Sequence, residues 1–198
     1  DKKVGTFGDV AATSFYPAKP LGCYGDGGAI FTNNDDLAER CKAIRIHGTS
    51  SDKYNSEMIG LNGRLDSMQA AVLLEKLTIF DDELERRNQV NNYYRKYLNN
   101  AQHIPENYHS AHALFSITLG SHTKREELVA KLKQNSIPNV IYYKYPIHLM
   151  KGFSYLGYRK GDFPISENLS QTIVSLPMHP YLTEMDIDSI IKTLKNNE

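Results

Sequence analysis

From Leu65 to Leu98 the chain holds one helical rhythm over about nine turns. Leu65, Met68, Val72, Leu73, Leu77, Phe80 and Leu84 recur at helical spacing, and Val90, Tyr94 and Leu98 extend the pattern towards Asn99 and Asn100. Asp66, with Gln69 three residues on, has the form of a capping box at its start. A helix of this length exceeds what one small domain needs, so it is predicted to join two layers or two domains. The boundary is placed near residues 99–110, dividing the chain into 1–100 and 101–198. With 198 residues, 40% of them hydrophobic, there is enough material for one or two domains with a real core.

The segments around this helix alternate between strand and helix patterns. DVAATSFYP and GAIFTN read as strands joined by the loop PAKPLGCYGDG. Asn33 or Asn34 caps a helix whose apolar face is Leu37, Cys41 and Ile44. HGTSSDKYNSEMIGLNGR is a long polar excursion of the kind that serves function or stays disordered. In the second half, HALFSITLG and NVIYYKYP are predicted strands, and IVSLPMHP is an extended run. Thr123 with Glu126 predicts a capping box for a helix through Leu128, Val129 and Leu132. Thr183 caps a last helix along Ile187, Ile190, Ile191 and Leu194. Such alternation argues for an α/β or α+β fold.

Charge and cysteine usage remove several function classes. Lys plus Arg equals Asp plus Glu at 23 each, so no global charge favours nucleic acid or a membrane surface. No apolar run approaches the roughly 20 residues that span a bilayer, and DKKVGTFGD lacks the apolar region of a signal peptide. Cys23 and Cys41 form neither a disulfide framework nor a metal-binding spacing, and free thiols suit a reducing compartment. No HExxH, paired-cysteine cluster or Ser-His-Asp order is present, so no metal is expected.

The chemistry concentrates in SFYPAKPLGCYGDGG. Prolines fix backbone and glycines free it, so Lys19 sits in a stiffened loop at a strand end. The four glycines do not make a nucleotide fingerprint, because they lead into a strand and not into a helix. A lysine amine with an ordinary pKa near 10.4 is a poor nucleophile at neutral pH. Held near a carbonyl in a desolvated site, it can form a Schiff base. Ser14, five residues earlier, can donate a hydroxyl to a phosphate. On spacing alone Lys19 reads first as a surface lysine, and His47, His148 and His179 read first as satisfied structural histidines.

TSFYPAKPLGCYGDGGAIFTN, RIHG, GLNGRLDSMQAAVL, YPIHL and SLPMHPYL occur in that order. Together they resemble the nucleotide-sugar aminotransferases of the DegT/DnrJ/EryC1/StrS family, which are pyridoxal phosphate (PLP) enzymes of fold type I. The resemblance covers nearly the whole chain. It implies an α/β fold comprising the remainder of a large PLP-binding domain and a small α+β C-terminal domain. Lys19 matches the lysine that holds PLP as a Schiff base and later moves a proton. Ser14 matches the hydroxyl at the cofactor phosphate. Asn62 matches an asparagine that reaches the phosphate of the partner subunit's cofactor. Arg64 matches an arginine near the substrate in that shared site, and His148 a small-domain histidine near the substrate pocket. The glycines are expected to let backbone pass close to the cofactor.

The implied activity moves an amino group from L-glutamate onto a keto group of a nucleotide-linked sugar, in a cytoplasmic homodimer with shared active sites. GCYGDGGAIFT and SLPMHPYL look closest to the branch acting at C3 of a UDP-2-acetamido-hexuluronic acid in surface-polysaccharide synthesis. The alternative substrate is a dTDP- or GDP-linked keto-6-deoxyhexose. Related sugar dehydratases replace the lysine with histidine, so Lys19 argues against dehydration. Two departures stand out. Gly63 occupies a place where the family runs serine and is expected to loosen its loop. Family chains are about twice this long, and their other half brings a phosphate loop, a stacking aromatic and an aspartate for the pyridinium nitrogen. The 198 residues are therefore expected to be a C-terminal piece, inert by itself, with apolar residues such as Phe15 and Ile30 uncovered.

Overall fold

The computed structural model describes residues 2–49 and 51–195. The chain divides after Asp81 into two compact units.

In the first unit the two predicted strands form β1 (Ala11–Ser14) and β2 (Gly28–Phe31), paired antiparallel with Ala11 opposite Phe31 and Ser14 opposite Gly28. Helix α1 (Asp35–Ile44) follows. Asn34 is its cap: the backbone is extended and Oδ1 accepts from the Leu37 N–H at 3.0 Å. Asp35 and Asp36 in the first turn suit the positive end of the helix dipole. Ile30 is 57% exposed, as expected for a two-stranded ribbon without a covering layer. Phe15 is half-buried instead, because the ribbon's own loop packs on it.

Helix α2 runs from Ser67 to Arg95, 29 residues. Its sheltered stripe differs from the one the apolar pattern predicts. Met68 and Leu77 are exposed, whereas Gln69, Leu73, Lys76, Phe80, Glu83, Arg87, Val90 and Tyr94 are partly or fully buried. These eight recur every three and four residues in a strict seven-residue repeat, and four of them are polar. Gln69 is engaged away from Asp66, since its Oε1 accepts from the Tyr24 N–H at 2.7 Å.

In the second unit, β3 (Phe115–Thr118) pairs antiparallel with β4 (Ile173–Leu176), with Phe115 opposite Leu176 and Thr118 opposite Ile173. Single bridges from Ala101 to Ile117 and from Val140 to Ser175 widen this sheet. The predicted strand NVIYYKYP reduces to that one bridge at Val140. Beyond it the chain turns and enters two short 3₁₀ segments, Ile147–Leu149 and Lys151–Leu156. The tyrosines there favour strand locally, but Pro146 ends any ladder. Helix α3 (His122–Gln134) is capped by Ser121, whose Oγ accepts from the Lys124 N–H at 3.2 Å, and not by Thr123. Glu126 is taken by Arg125, at 2.7 and 3.0 Å.

Helix α4 (Pro164–Thr172) starts with proline in its first turn, a position that needs no N–H donor. Helix α5 (Glu184–Lys195) opens with a reciprocal cap: Thr183 N–H donates to Asp186 Oδ2 at 2.9 Å, and Asp186 N–H donates to Thr183 Oγ1 at 3.2 Å. The core gathers Val90, Tyr94, Phe115, Ile117, Leu128, Leu132, Val174 and the isoleucines of α5. Tyr94 stacks on Phe115 at 4.6 Å and donates its hydroxyl to Pro177 O at 3.0 Å. Arg125 is fully buried and ties α3 to α4 through Ser170 O at 2.8 Å.

Two neighbouring hydroxyls separate the observed cap from the expected one. Ser121→Ala should destabilise the protein by about 1 kcal/mol. Thr123→Ala should stay within about 0.5 kcal/mol of the parent. Urea denaturation of both variants checks the order.

Candidate active site

The lysine loop, residues 15–27, closes on itself at its base. Phe15 N–H donates to Gly27 O at 2.7 Å, and Cys23 N–H donates to Phe15 O at 2.8 Å. Cys23 is 1% exposed, with Sγ 3.1 Å from both Phe15 O and Gly25 O. At the tip, Lys19 N–H donates to Tyr16 O at 2.8 Å across Pro17 and Ala18. Tyr16 N–H in turn donates to Ser14 Oγ at 3.2 Å. The backbone of Tyr16 thus links Ser14 and Lys19. Both side chains are exposed, and the Ser14 hydroxyl hydrogen remains available to donate.

The glycines answer first to the chain itself. A Cβ on Gly22 would lie 2.7 Å from Tyr16 O, and one on Gly28 would lie 2.7 Å from Thr13 O. The loop passes its own backbone too closely for a side chain, which accounts for these glycines without a cofactor.

Two contacts fasten the loop to α2. Besides the Tyr24–Gln69 bond, Lys76 Nζ donates to Gly22 O at 2.8 Å. Apolar periodicity passed over both residues. Their signal was polarity at two positions of the sheltered seven-residue repeat.

Asn62 and Arg64 stand on a second construction. Leu61 N–H donates to Ile44 O at 2.9 Å, His47 N–H to Leu61 O at 3.0 Å, and Gly63 N–H to Arg45 O at 2.8 Å. RIHG and GLNGR, 16 residues apart by the Ile46–Asn62 bridge, therefore lie side by side. Gly48 sits at φ +74°, and a Cβ on it would fall 1.7 Å from Met58 O. A Cβ on Gly60 would fall 2.1 Å from Gly48 N, so both arms of the excursion cross backbone against backbone. Asn62 Oδ1 accepts from Arg64 Nε at 3.0 Å, and both side chains are exposed. The expected loosening at Gly63 meets a tethered backbone. A serine there would bring its Cβ 2.6 Å from Leu61 Cδ1.

Ser14 with Lys19, and Asn62 with Arg64, form two pairs in the first unit, with no hydrogen bond joining them among the described residues. His148 lies in the second unit. Its ring packs at 4.8 Å on Phe163, its side chain is 8% exposed, and Nε2 meets Glu167 Oε1 at 3.0 Å. Glu167 on α4 also accepts from Gly161 N–H at 2.7 Å and Phe163 N–H at 3.4 Å. The Gly161 N–H, then His148, hold this carboxyl below the usual glutamate range. An apolar cavity of about 840 Å³ adjoins the same segment, lined by Tyr142, Tyr143, Tyr145, Phe163, Ile165 and Leu169. Among the described residues no cluster could hold a metal ion, and no helix is long and apolar enough to cross a membrane.

The sequence matches the DegT/DnrJ/EryC1/StrS aminotransferase family over residues 1–195. It is 39% identical to a pleiotropic regulatory protein of Geobacillus stearothermophilus, over 98% of this chain and 53% of that one. It is 38% identical to the UDP-2-acetamido-2-deoxy-3-oxo-D-glucuronate aminotransferase of Pseudomonas aeruginosa, over 94% of this chain and 51% of that one. The crystal structure of a DegT DnrJ EryC1 StrS aminotransferase from Brucella abortus superposes with a TM-score of 0.89 at 46% identity, covering 97% of this chain and 52% of that one. The chain spans about half the length of the curated relatives it matches.

The Glu167 hub fixes a sign in acid. Its carboxyl has a folded pKa below the unfolded one, so its contribution is complete above the ordinary glutamate pKa and is lost as pH falls through the folded value. Glu167→Gln should lower stability near neutrality and flatten the loss between about pH 5 and pH 3. Melts followed by circular dichroism across that range check it.

Proposed function

The chain belongs to the DegT/DnrJ/EryC1/StrS aminotransferase family, and on that premise we propose that it forms part of a PLP-dependent enzyme that aminates a keto group of a nucleotide-linked sugar. Its fold is part of a fold type I PLP-dependent transferase. The observation that carries the reading is Lys19, presented with an exposed amine at the tip of a loop closed at Phe15 and fastened to α2. We assign L-glutamate as amino donor and C3 of a UDP-2-acetamido-hexuluronic acid as acceptor, supported by the similarity to the Pseudomonas aeruginosa relative. We also propose a cytoplasmic homodimer serving surface-polysaccharide synthesis, with residues 1–100 belonging to a large PLP-binding domain and residues 101–198 forming a small C-terminal domain.

The residues present fit a phosphate-bearing aldehyde. Lys19 supplies an amine, Ser14 a hydroxyl whose hydrogen is not committed, and Arg64 a guanidinium bonded only through Nε among the described residues. When bound, PLP supplies the electron sink that makes the amine-bearing C–H acidic. Lys19 would hold the cofactor and, once its amine is released, take the proton from that carbon as a general base. Ser14 would donate to a phosphate oxygen. Asn62 would reach the phosphate of the cofactor in the partner subunit. Arg64 would use its remaining N–H donors on an anionic group of the substrate in that shared pocket. His148, oriented by Glu167, would border the sugar from the small domain.

Two experiments test this. In the full-length protein, Lys19→Ala should abolish turnover and the visible absorption of the bound cofactor. Mixing it with an inactive Arg64→Ala protein should restore part of the activity through heterodimers. Retained turnover in the first, or no recovery once subunit exchange is shown, overturns the lysine assignment or the shared site, respectively.

A second reading concerns the 198 residues by themselves. Ile30, Phe31, Met68, Leu74 and Leu77 are exposed, which favours a self-associating piece that retains PLP poorly. Titration with PLP, borohydride reduction and peptide mapping should give sparse labelling spread over several lysines. Stoichiometric labelling at Lys19 alone, with transamination, overturns the inert reading.

A further inference from the structure

We propose that Gln69 and Lys76 are positioning residues for the Lys19 amine, acting through the two backbone groups they hold. The inference rests on the reading of Lys19 as the reactive lysine. Gln69 and Lys76 stand seven residues apart, two turns on one face of α2, and both are partly buried. A sheltered polar group is unfavourable unless it is bonded, so each needs a partner of opposite kind. Gln69 Oε1 takes the Tyr24 N–H at 2.7 Å, and Lys76 Nζ gives to Gly22 O at 2.8 Å. An acceptor and a charged donor thus fasten one N–H and one C=O, two residues apart, on either side of buried Cys23.

Two further features agree. The loop's other bonds run within the loop and its ribbon. Among the described residues they close it at Phe15, and none of them reaches α2. Gly25 is the residue beside Gln69: a Cβ there would come within 3.2 Å of Gln69 Nε2. The second glycine of the cluster therefore makes room for the helix side chain that holds the loop. Lys19 is three residues from Gly22, so at most about 10 Å of chain separates the clamp from the reactive residue. Misplacing a reacting group by about 1 Å can lower a rate a hundredfold.

The test uses the full-length protein in four variants. Gln69→Met and Lys76→Met remove the polar end and keep the stem. Gln69→Glu and Lys76→Arg keep an acceptor and a donor. Amide exchange is read for residues 15–27 and, as an internal reference, for β3. Steady-state kinetics are read beside Lys19→Ala. Each methionine variant should speed exchange in the loop about tenfold with β3 unchanged. Each should lower kcat about tenfold or more with KM for the sugar within about twofold. The Glu and Arg variants should restore both readouts. Unchanged loop exchange in the methionine variants overturns the clamp. Faster exchange with unchanged kcat, in a protein that Lys19→Ala inactivates, overturns the positioning role. Activity surviving in Lys19→Ala marks failure of the underlying reading, separately from the exchange result.

Discussion

Four polar side chains on the sheltered stripe of one helix must find hydrogen bonds, and much of the ordered loop structure follows from where they find them. In the first unit, Gln69 and Lys76 fasten the lysine loop. In the second, Glu83 accepts from the Tyr181 hydroxyl, and Arg87 Nη1 donates to His112 O at 3.3 Å and Met178 O at 3.2 Å. Burial pushes the Arg87 guanidinium down from its usual range, and Glu83 opposes that push. Burial also lowers His112 and His179, with the charges of Arg95 and Arg87 adding to the push at His112 and that of Arg87 at His179. An apolar stripe would have packed more simply. A polar one limits which groups dock and in what register, because an unmatched partner leaves a buried donor or acceptor stranded, as Arg87 Nε is among the described residues.

Local chemistry was the most legible part of the sequence. Asn34 and the Thr183–Asp186 exchange act within four residues, and β3 alternates buried Phe115 and Ile117 with less buried neighbours. Residues in NVIYYKYP have strand propensity, but only Val140 has a strand to pair with, so tertiary context overrode propensity. At α3, Thr123 and Glu126 satisfy the spacing rule of a true box two residues past the actual cap, Ser121. Helix α4 carries no capping signal, since its start rests on Pro164 and on no side-chain cap. At the candidate site, motif resemblance singles out Lys19, Ser14, Asn62, Arg64 and His148. It gives no signal for Gln69, Lys76 or Glu167, whose contacts reach partners 45, 54 and 19 residues away in sequence.

The exposed apolar surface of the first unit fits a chain about half as long as its relatives. A two-stranded ribbon is marginal on its own, and β2 leaves Ile30 and Phe31 in water. A groove of about 1210 Å³ is lined by Thr13, Phe15, Ile30, Phe31 and the α1 residues Ala38 and Cys41. Yet the lysine loop is closed by contacts that lie wholly within these residues. The loop is ordered by bonds among the described residues, while Ile30 and Phe31 of the ribbon stay exposed.

The crossing of Gly48 and Gly60 has a consequence for divergence. The bonds that seat Asn62 and Arg64 all lie on the near side of that crossing, at Ile44, Arg45 and His47. The exposed stretch from Asp52 to Asn55 lies on the far side. A neck made of backbone isolates the tip from the base, so residues 52–55 can lengthen, shorten or change sign at little entropic penalty while the base keeps its register. Selection can therefore rewrite what the excursion meets without moving the asparagine and arginine it delivers, provided the two glycines at the neck stay as they are.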